Sequence, residues 1–282
     1  MDVEFLVELR KDSPLITVRM EADNHAKDHR VRVLIPNNLG TEFSESDNQF
    51  GTIRRPVVDS AMEVWEEEKW SERPDSIYPF LSFVRQENEK GLGVITDSVR
   101  EYELTGENYN TIALTMFRCV GVLGKETLYR RPGRPSGIKM ETPDSRMQGK
   151  QHYTFALTAD CRHISRRASE YTTPLVSYNK MPYNAMKLNQ PTVNTPYSYS
   201  LLKINSEDIT LSVLKKEENG TGLLFQCYNA TNRTEEGCLT SLLHLMGETM
   251  LDETRILDCS CTDILRLEPN QTKTVLLKEE RM

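Results

Sequence analysis

Thr111-Ile112-Ala113-Leu114-Thr115-Met116-Phe117 and His152-Tyr153-Thr154-Phe155-Ala156-Leu157 are apolar runs of strand length, rich in β-branched and aromatic residues. The same pattern recurs outward from them in Val31-Arg32-Val33-Leu34-Ile35, Tyr78-Pro79-Phe80-Leu81-Ser82-Phe83-Val84 and Gly93-Val94-Ile95. Turn residues separate one run from the next. Short runs of this composition predict an all-β sandwich or barrel, not an alternating α/β fold. No metal-ligand cluster or nucleophile motif sits between Val31 and Leu157, so the stretch reads as a scaffold or binding unit.

A chain of 282 residues holds one large all-β unit or two smaller ones with real cores. Its net charge of −7 argues against nucleic-acid binding, because phosphate contacts need a basic face. It has no run of about 18 apolar residues that would span a membrane. The opening Met1-Asp2-Val3-Glu4 is acidic and lacks the basic and apolar regions of a signal peptide. The six cysteines are irregularly spaced, and Cys259-Ser260-Cys261 is too close for a relaxed disulfide. Reduced thiols and a cytoplasmic location are therefore expected. Zinc on Cys227, Cys238, Cys259 and Cys261 is disfavoured, since neither pair has the usual ligand gap. No cofactor is expected in this chain.

Val3 to Leu9 and Leu15 to Glu21 alternate like two strands around a turn at Arg10-Lys11-Asp12-Ser13-Pro14. This predicts a hairpin over residues 1–21, as an edge or separate element. A chain opening in mid-hairpin is expected of a fragment of something larger. Asp59 to Arg73, rich in glutamate, reads as a short helix or an extended arm between strands. From Arg162 to Pro196, Pro174, Pro182, Pro191 and Pro196 predict a long crossover. Strands resume beyond it. A large sandwich is expected over 22–196 and a small β domain over 197–282.

Five segments, taken in order, carry a family resemblance: Asp23 to Pro36, the loop Gln49-Phe50-Gly51-Thr52-Ile53-Arg54-Arg55-Pro56, the strand Thr111 to Arg118, the strand Gly149 to Leu157, and the pair Leu214 to Gly220 with Leu223 to Asn229. Their order and spacing over Ala22 to Leu277 resemble the C-terminal β-region of glycoside hydrolase family 38, the α-mannosidases. The bacterial branch acting on small mannosides or mannosyl-glycerate fits best. The resemblance implies a galactose mutarotase-like supersandwich followed by a smaller β domain. In that family a zinc ion and an aspartate nucleophile sit in an N-terminal (β/α) barrel, which cannot be placed here. Retaining hydrolysis needs two carboxylates about 5 Å apart, and no such pair is nominated. The implied role is a non-catalytic, carbohydrate-facing scaffold, inactive alone, within mannose metabolism. Its expected partners are the catalytic barrel of the same enzyme and a mannose-containing oligosaccharide or small mannoside. Nucleic acid and membrane are not expected, and homo-oligomerisation is left open.

Tyr129-Arg130-Arg131-Pro132-Gly133-Arg134-Pro135-Ser136-Gly137 is the sharpest local feature. In resembling enzymes the loop leaving this strand places an arginine at the sugar. Guanidinium forks suit sugar hydroxyls and carboxylates because they offer several fixed donors. Arg131 and Arg134 are the expected substrate contacts, and the loop is expected to be exposed. The alternative is a loop that only packs against a neighbouring domain.

Other polar groups have plainer readings. His25, Asp28, His29 and Arg30 form a cluster in which Asp28 and Arg30 are expected to pair at a turn. A mutarotase-like reading instead needs His29, His152 and Glu101 to converge in one cleft. Gln49, Arg54 and Arg55 flank Gly51, and two readings stand level: they face a partner domain or a sugar, or they surround a turn with Gly51 at positive φ. Trp65, Trp70, Tyr78 and Phe80 are sugar-stacking candidates but more simply core or interdomain residues. Asn219, Asn229 and Asn270 head glycosylation sequons, for which modification is not expected. An autonomous carbohydrate-binding module remains the second functional reading.

Overall fold

The computed structural model describes residues 1–126, 128–133, 135–178, 196–218, 220–253, 256–258 and 263–279. Two compact units emerge, Met1–Thr172 and Thr173–Met282. The first unit contains β1 (Asp2–Leu9), β2 (Ile16–Asn24), β3 (His29–Pro36), β4 (Phe43–Asn48), β5 (Gly51–Pro56), α1 (Ala61–Val64), β6 (Ile77–Pro79), β7 (Phe83–Glu87), β8 (Gly91–Ile95), β9 (Glu101–Thr105), β10 (Thr111–Cys119), β11 (Val122–Leu123), β12 (Met140–Glu141), β13 (Gly149–Thr158) and α2 (Ile164–Thr172). Its described strands form a seven-stranded sheet in the order β1-β2-β13-β8-β7-β4-β5, a four-stranded sheet β3-β10-β9-β6 and the pair β11-β12. All of the pairings are antiparallel.

Alternation along the strands places one core on each side of the larger sheet. Val84, Val94 and Phe155 face the four-stranded sheet and pack with Tyr102, Ile112, Leu114 and Phe117. Their chain neighbours Phe83, Ile95 and Ala156 point the other way, onto Ile164 and Ala168 of α2. β10 breaks strict alternation with a bulge between Thr115 and Phe117. The extra residue lets Met116 and Phe117 both enter the core, and it rotates Arg118 into register opposite Arg30.

The crossing from one sheet to the other is made at Phe80-Leu81-Ser82, between β6 and β7. Asp47 of β4 holds this corner. Its Oδ1 accepts the backbone amides of Leu81 (2.9 Å), Ser82 (2.9 Å) and Phe83 (3.1 Å). Its Oδ2 accepts the Ser82 amide at 2.7 Å and the Ser82 hydroxyl at 2.5 Å. Nearby, the Ser44 and Tyr102 hydroxyls meet at 2.8 Å, joining the two layers.

The second unit contains β14 (Leu202–Ile204), β15 (Ile209–Lys216), β16 (Leu223–Asn229), β17 (Glu235–Ser241), β18 (His244–Thr249), β19 (Ile256–Asp258), β20 (Ile264–Leu267) and β21 (Thr272–Lys278). Sheets β14-β17-β20 and β15-β16-β21-β18-β19 enclose Ile209, Phe225, Cys227, Leu239, Leu265, Leu267, Val275 and Leu277.

The all-β expectation holds, with a large antiparallel sandwich followed by smaller sheets. The expected crossover from Arg162 needs correction at its start, where α2 is a helix. Ile164 and Ala168 supply its buried stripe with Tyr171 beside them, and Arg166 pairs with Glu170 at 3.0 Å one turn on. Residues 179–195 lie outside the described residues. Asp59 to Arg73 contains the single short helix α1, started by the Asp59 carboxylate accepting the Ala61 amide at 2.9 Å.

Asp47→Ala is expected to lower unfolding free energy by about 2–4 kcal/mol, because it strands three corner amides, two part-buried and one buried. Asp47→Asn should cost less, since one acceptor oxygen survives. Urea titration followed by tryptophan fluorescence checks the order. An unchanged midpoint for Asp47→Ala would show that the corner does not depend on this carboxylate.

Candidate functional site

The sandwich presents a charged outer face on β3, β10 and β9. Arg30 and Arg32 alternate outward from β3, Arg118 stands opposite Arg30 on β10, and Glu101 and Glu103 answer from β9. Arg32 Nη1 lies 2.5 Å from a Glu103 oxygen. Glu101 accepts the Thr115 hydroxyl at 2.7 Å, pairs closely with Arg118, and lies 3.8 Å from Arg30 Nη1.

The arginine loop joins this face. The Arg131 amide donates to the Leu128 carbonyl at 3.0 Å, closing a tight turn. The Arg73 amide donates to the Arg130 carbonyl at 2.7 Å, which pins the turn to the segment before β6. Arg130 pairs with Asp75 and Arg131 with Glu72. The Arg73 guanidinium sits 5.4 Å from the Tyr129 ring centre.

Burial first, and neighbouring cations second, lower the pKa of three of these arginines. Burial lowers the pKa of Arg30, and Arg32 lowers it further. Arg118 is lowered by burial and then by Arg30. Arg130 is lowered by burial, then by Arg30 and Arg73. Six guanidinium groups here meet Glu72, Asp75, Glu101 and Glu103, within a chain of net charge −7. Such a face favours ligands rich in acceptor oxygens.

The loop departs from its expected full exposure. Arg130 and Arg131 are half-buried and ion-paired, whereas Tyr129 and Pro132 are exposed. Arg131 Nε is buried without a hydrogen-bond partner, which leaves that donor uncommitted. Arg134 lies outside the described residues. Glu72 was missed from sequence, as nothing in a run of glutamates marks the one that pairs with Arg131.

The remaining candidates disperse. His29 packs edge-on against Phe117 and lies 3.9 Å from Cys119 Sγ, whereas His152 pairs with Glu21 at 3.5 Å on the other sheet. Glu101 is engaged by Arg118, so the three groups of the mutarotase-like reading have separate surroundings. Asp28 does not pair with Arg30. Its Oδ1 accepts the Gly121 amide at 3.0 Å. Gly51 is a buried strand residue without positive φ, because the hairpin turns at Gln49-Phe50 instead. Arg54 stacks 4.0 Å from the Phe43 ring centre and Arg55 lies over Tyr78 at 5.2 Å. Phe80 is core, edge-on to Tyr102, and Trp70 is exposed.

Asn229 is fully buried. Its Nδ2 donates to the carbonyls of Arg233 (2.6 Å), Leu267 (3.2 Å) and Glu268 (3.1 Å). Asn270 occupies a left-handed turn position, and Asn219 lies outside the described residues. Among the described residues no group of three or more His, Cys, Asp or Glu side chains could hold a metal ion. Cys259 and Cys261 lie outside them. Burial pushes the Cys161 thiol up to about 11 and the Cys227 thiol up to about 12.

Comparison with known proteins adds the following. Residues 2–121 match the family model described as the glycosyl hydrolases family 38 C-terminal domain. A protein of Halalkalibacterium halodurans named "Putative mannosylglycerate hydrolase" is 24% identical over 244 residues, covering 84% of this chain and 24% of that protein. The fold is similar to an alpha-mannosidase from Enterococcus faecalis V583, with a TM-score of 0.77, 21% identity, and coverage of 98% of this chain and 29% of that one. It is also similar to a second Enterococcus faecalis structure, described as a protein in the glycosyl hydrolase family 38 (TM-score 0.68, 19% identity, 98% and 30% coverage). The chain thus spans about a quarter of the curated relative's length.

Arg131→Ala is expected to change stability by less than about 1 kcal/mol, because its partner Glu72 is solvent-exposed and the pair is screened. Thermal unfolding of the variant checks this. Alkylation of the native chain at mildly alkaline pH should modify the partly exposed Cys238 well before Cys161 and Cys227. Peptide mass spectrometry over a time course reads the order, and early labelling of Cys227 would contradict its burial.

Proposed function

Because the chain belongs to the C-terminal region of the family 38 glycosyl hydrolases, we propose that it is the non-catalytic β-region of a bacterial α-mannosidase-type enzyme. In this reading its loops face carbohydrate, and its sandwich seats a zinc-dependent catalytic barrel carried outside this chain. The observation that carries the proposal is the cation-crowded face built from Arg30, Arg118, Arg130 and Arg131. A mannose-containing oligosaccharide or small mannoside presents hydroxyl oxygens to such donors, and a glycerate carboxylate would be held more strongly still.

Arg131 is assigned a substrate contact through its guanidinium, one terminal nitrogen of which is held by Glu72. Arg134, three residues on, is assigned the second contact. In this reading the zinc is carried by the barrel; among the described residues no group of three or more His, Cys, Asp or Glu side chains could hold a metal ion. The reading includes a cytoplasmic enzyme with reduced thiols. No helix of the described structure is long and apolar enough to cross a membrane.

The isolated chain is expected not to hydrolyse an aryl α-mannoside, with or without added zinc. Turnover by a sample free of host mannosidase would overturn the scaffold reading. In the enzyme that carries the barrel, Arg131→Ala or Arg134→Ala should lower kcat/KM at least about tenfold, the loss of one charge-assisted hydrogen bond. Melting temperature should barely move. Wild-type kinetics in both variants would reduce the loop to interdomain packing.

A further inference from the structure

A cavity of about 770 Å³ opens between three loops at one end of the first unit. The loops follow β3, follow β5 and precede β10, so the cavity lies beyond Pro36 and Thr111. Arg30 and Arg118 stand toward the other ends of the same strands. Six residue steps along β3 from Arg30 to Pro36 make that separation roughly 20 Å.

Three observations mark this cavity as built. First, one buried side chain ties the walls together. Gln86 is fully buried, its Oε1 accepting the Asn37 side-chain amide at 2.9 Å. Its Nε2 donates to the Thr41 hydroxyl at 3.0 Å and to the Tyr109 carbonyl at 2.8 Å. The Asn37 amide donates to the Asn110 carbonyl at 2.7 Å and the Val57 amide to the Glu42 carbonyl at 2.9 Å, so all three loops are cross-linked. Second, Asn108 (φ 54°) and Tyr109 (φ 56°) are consecutive non-glycine residues in the left-handed region. Such backbone is costly and persists where surroundings over-determine it, often at ligand clamps. Third, the polar groups at the mouth are uncommitted. The side chains of Asn38, Glu42 and Asn108 are exposed and have no hydrogen bond or ion pair among the described residues.

The chemistry of the lining selects a ligand class. It contains no lysine or arginine, and its one carboxylate is Glu42, which disfavours anions. Asn38 and Asn108 each offer a donor and an acceptor, the combination a hydroxyl requires, and Asn110, whose Oδ1 accepts the Thr111 hydroxyl at 3.4 Å, adds a donor. Tyr109 brings an aromatic ring, and apolar C–H faces pack on such rings. Pro56, Val57 and Val58 form an apolar wall.

We propose that this cavity is a second, non-catalytic carbohydrate site for a neutral pyranoside. Amides and Glu42 take the hydroxyls, and Tyr109 stacks on the ring. The assignment does not depend on the arginine face.

The test is titration of the ¹⁵N-labelled chain with methyl α-D-mannopyranoside, followed through backbone amide shifts. Amides of residues 38–42 and 106–110 should move, with a dissociation constant in the millimolar range. Asn108→Gly removes the side chain at a left-handed position where glycine is at ease, so the variant should fold. Tyr109→Asn removes the ring with a residue that also tolerates left-handed backbone. Each should weaken binding about tenfold, a loss of roughly one hydrogen bond or stacking contact. Glu42→Gln should weaken it less. No shift of these amides at saturating sugar would overturn the proposal. Shifts confined to the arginine loop would overturn it too, while supporting that loop. Calcium chloride moving the same amides when sugar does not would make the cavity a cation site and exclude the neutral ligand.

Discussion

One carboxylate settles how the two sheets of the first unit are joined. The chain must leave the four-stranded sheet at Pro79 and enter the seven-stranded sheet at Phe83, with only three residues between. Phe80 donates its amide to the Arg100 carbonyl at 3.1 Å, but the next amides need another acceptor, and amides shielded from water without one are expensive. Asp47 takes the amides of Leu81, Ser82 and Phe83 at once, from a strand that neighbours β7. The corner in turn assigns Phe80 to the core between the sheets and Phe83 to the core beneath α2. Both hydrophobic clusters therefore depend on the direction in which a polar side chain holds the backbone.

The charged face arises from a similarly local cause. Without the bulge at Met116, strict alternation would bring Phe117 outward and carry Arg118 into the core. The inserted residue reverses the phase, so that Arg118 meets Arg30 and Glu101 on the surface. The apolar packing of β10 and the clustering of guanidinium groups are two results of one irregularity. Burial, with neighbouring guanidinium groups adding to it, lowers the pKa of Arg30 and Arg118, and Glu103 offsets part of the effect at Arg30.

The strands were legible because burial on a sheet leaves a period in the sequence. β10 and β13 are long apolar runs, and both lie at the centre of the sandwich. α2 escaped because prolines and asparagines further along dominated the reading of its neighbourhood, although Ile164, Ala168 and Tyr171 already mark one helical face. The site was less readable. Three arginines in a loop announce a cationic patch, but their partners Glu72 and Asp75 lie more than fifty residues earlier and carry no signature. Gln86 stands between Arg85 and Glu87 in β7 with nothing in the sequence to single it out, and only the fold places it among the three loops. The glycine at 51 misled because a turn is cheaper one residue earlier, at Gln49-Phe50.

Asn229 has a consequence for any attempt to decorate this chain. The nitrogen to which a glycan would be attached already donates to three carbonyls in a closed interior. An oligosaccharide there and the native second unit are mutually exclusive occupants of the same space. A sugar transferred before folding would act as an irreversible block, and one transferred afterwards has no route to its acceptor atom. The tripeptide Asn229-Ala230-Thr231 is thus a site in spelling only.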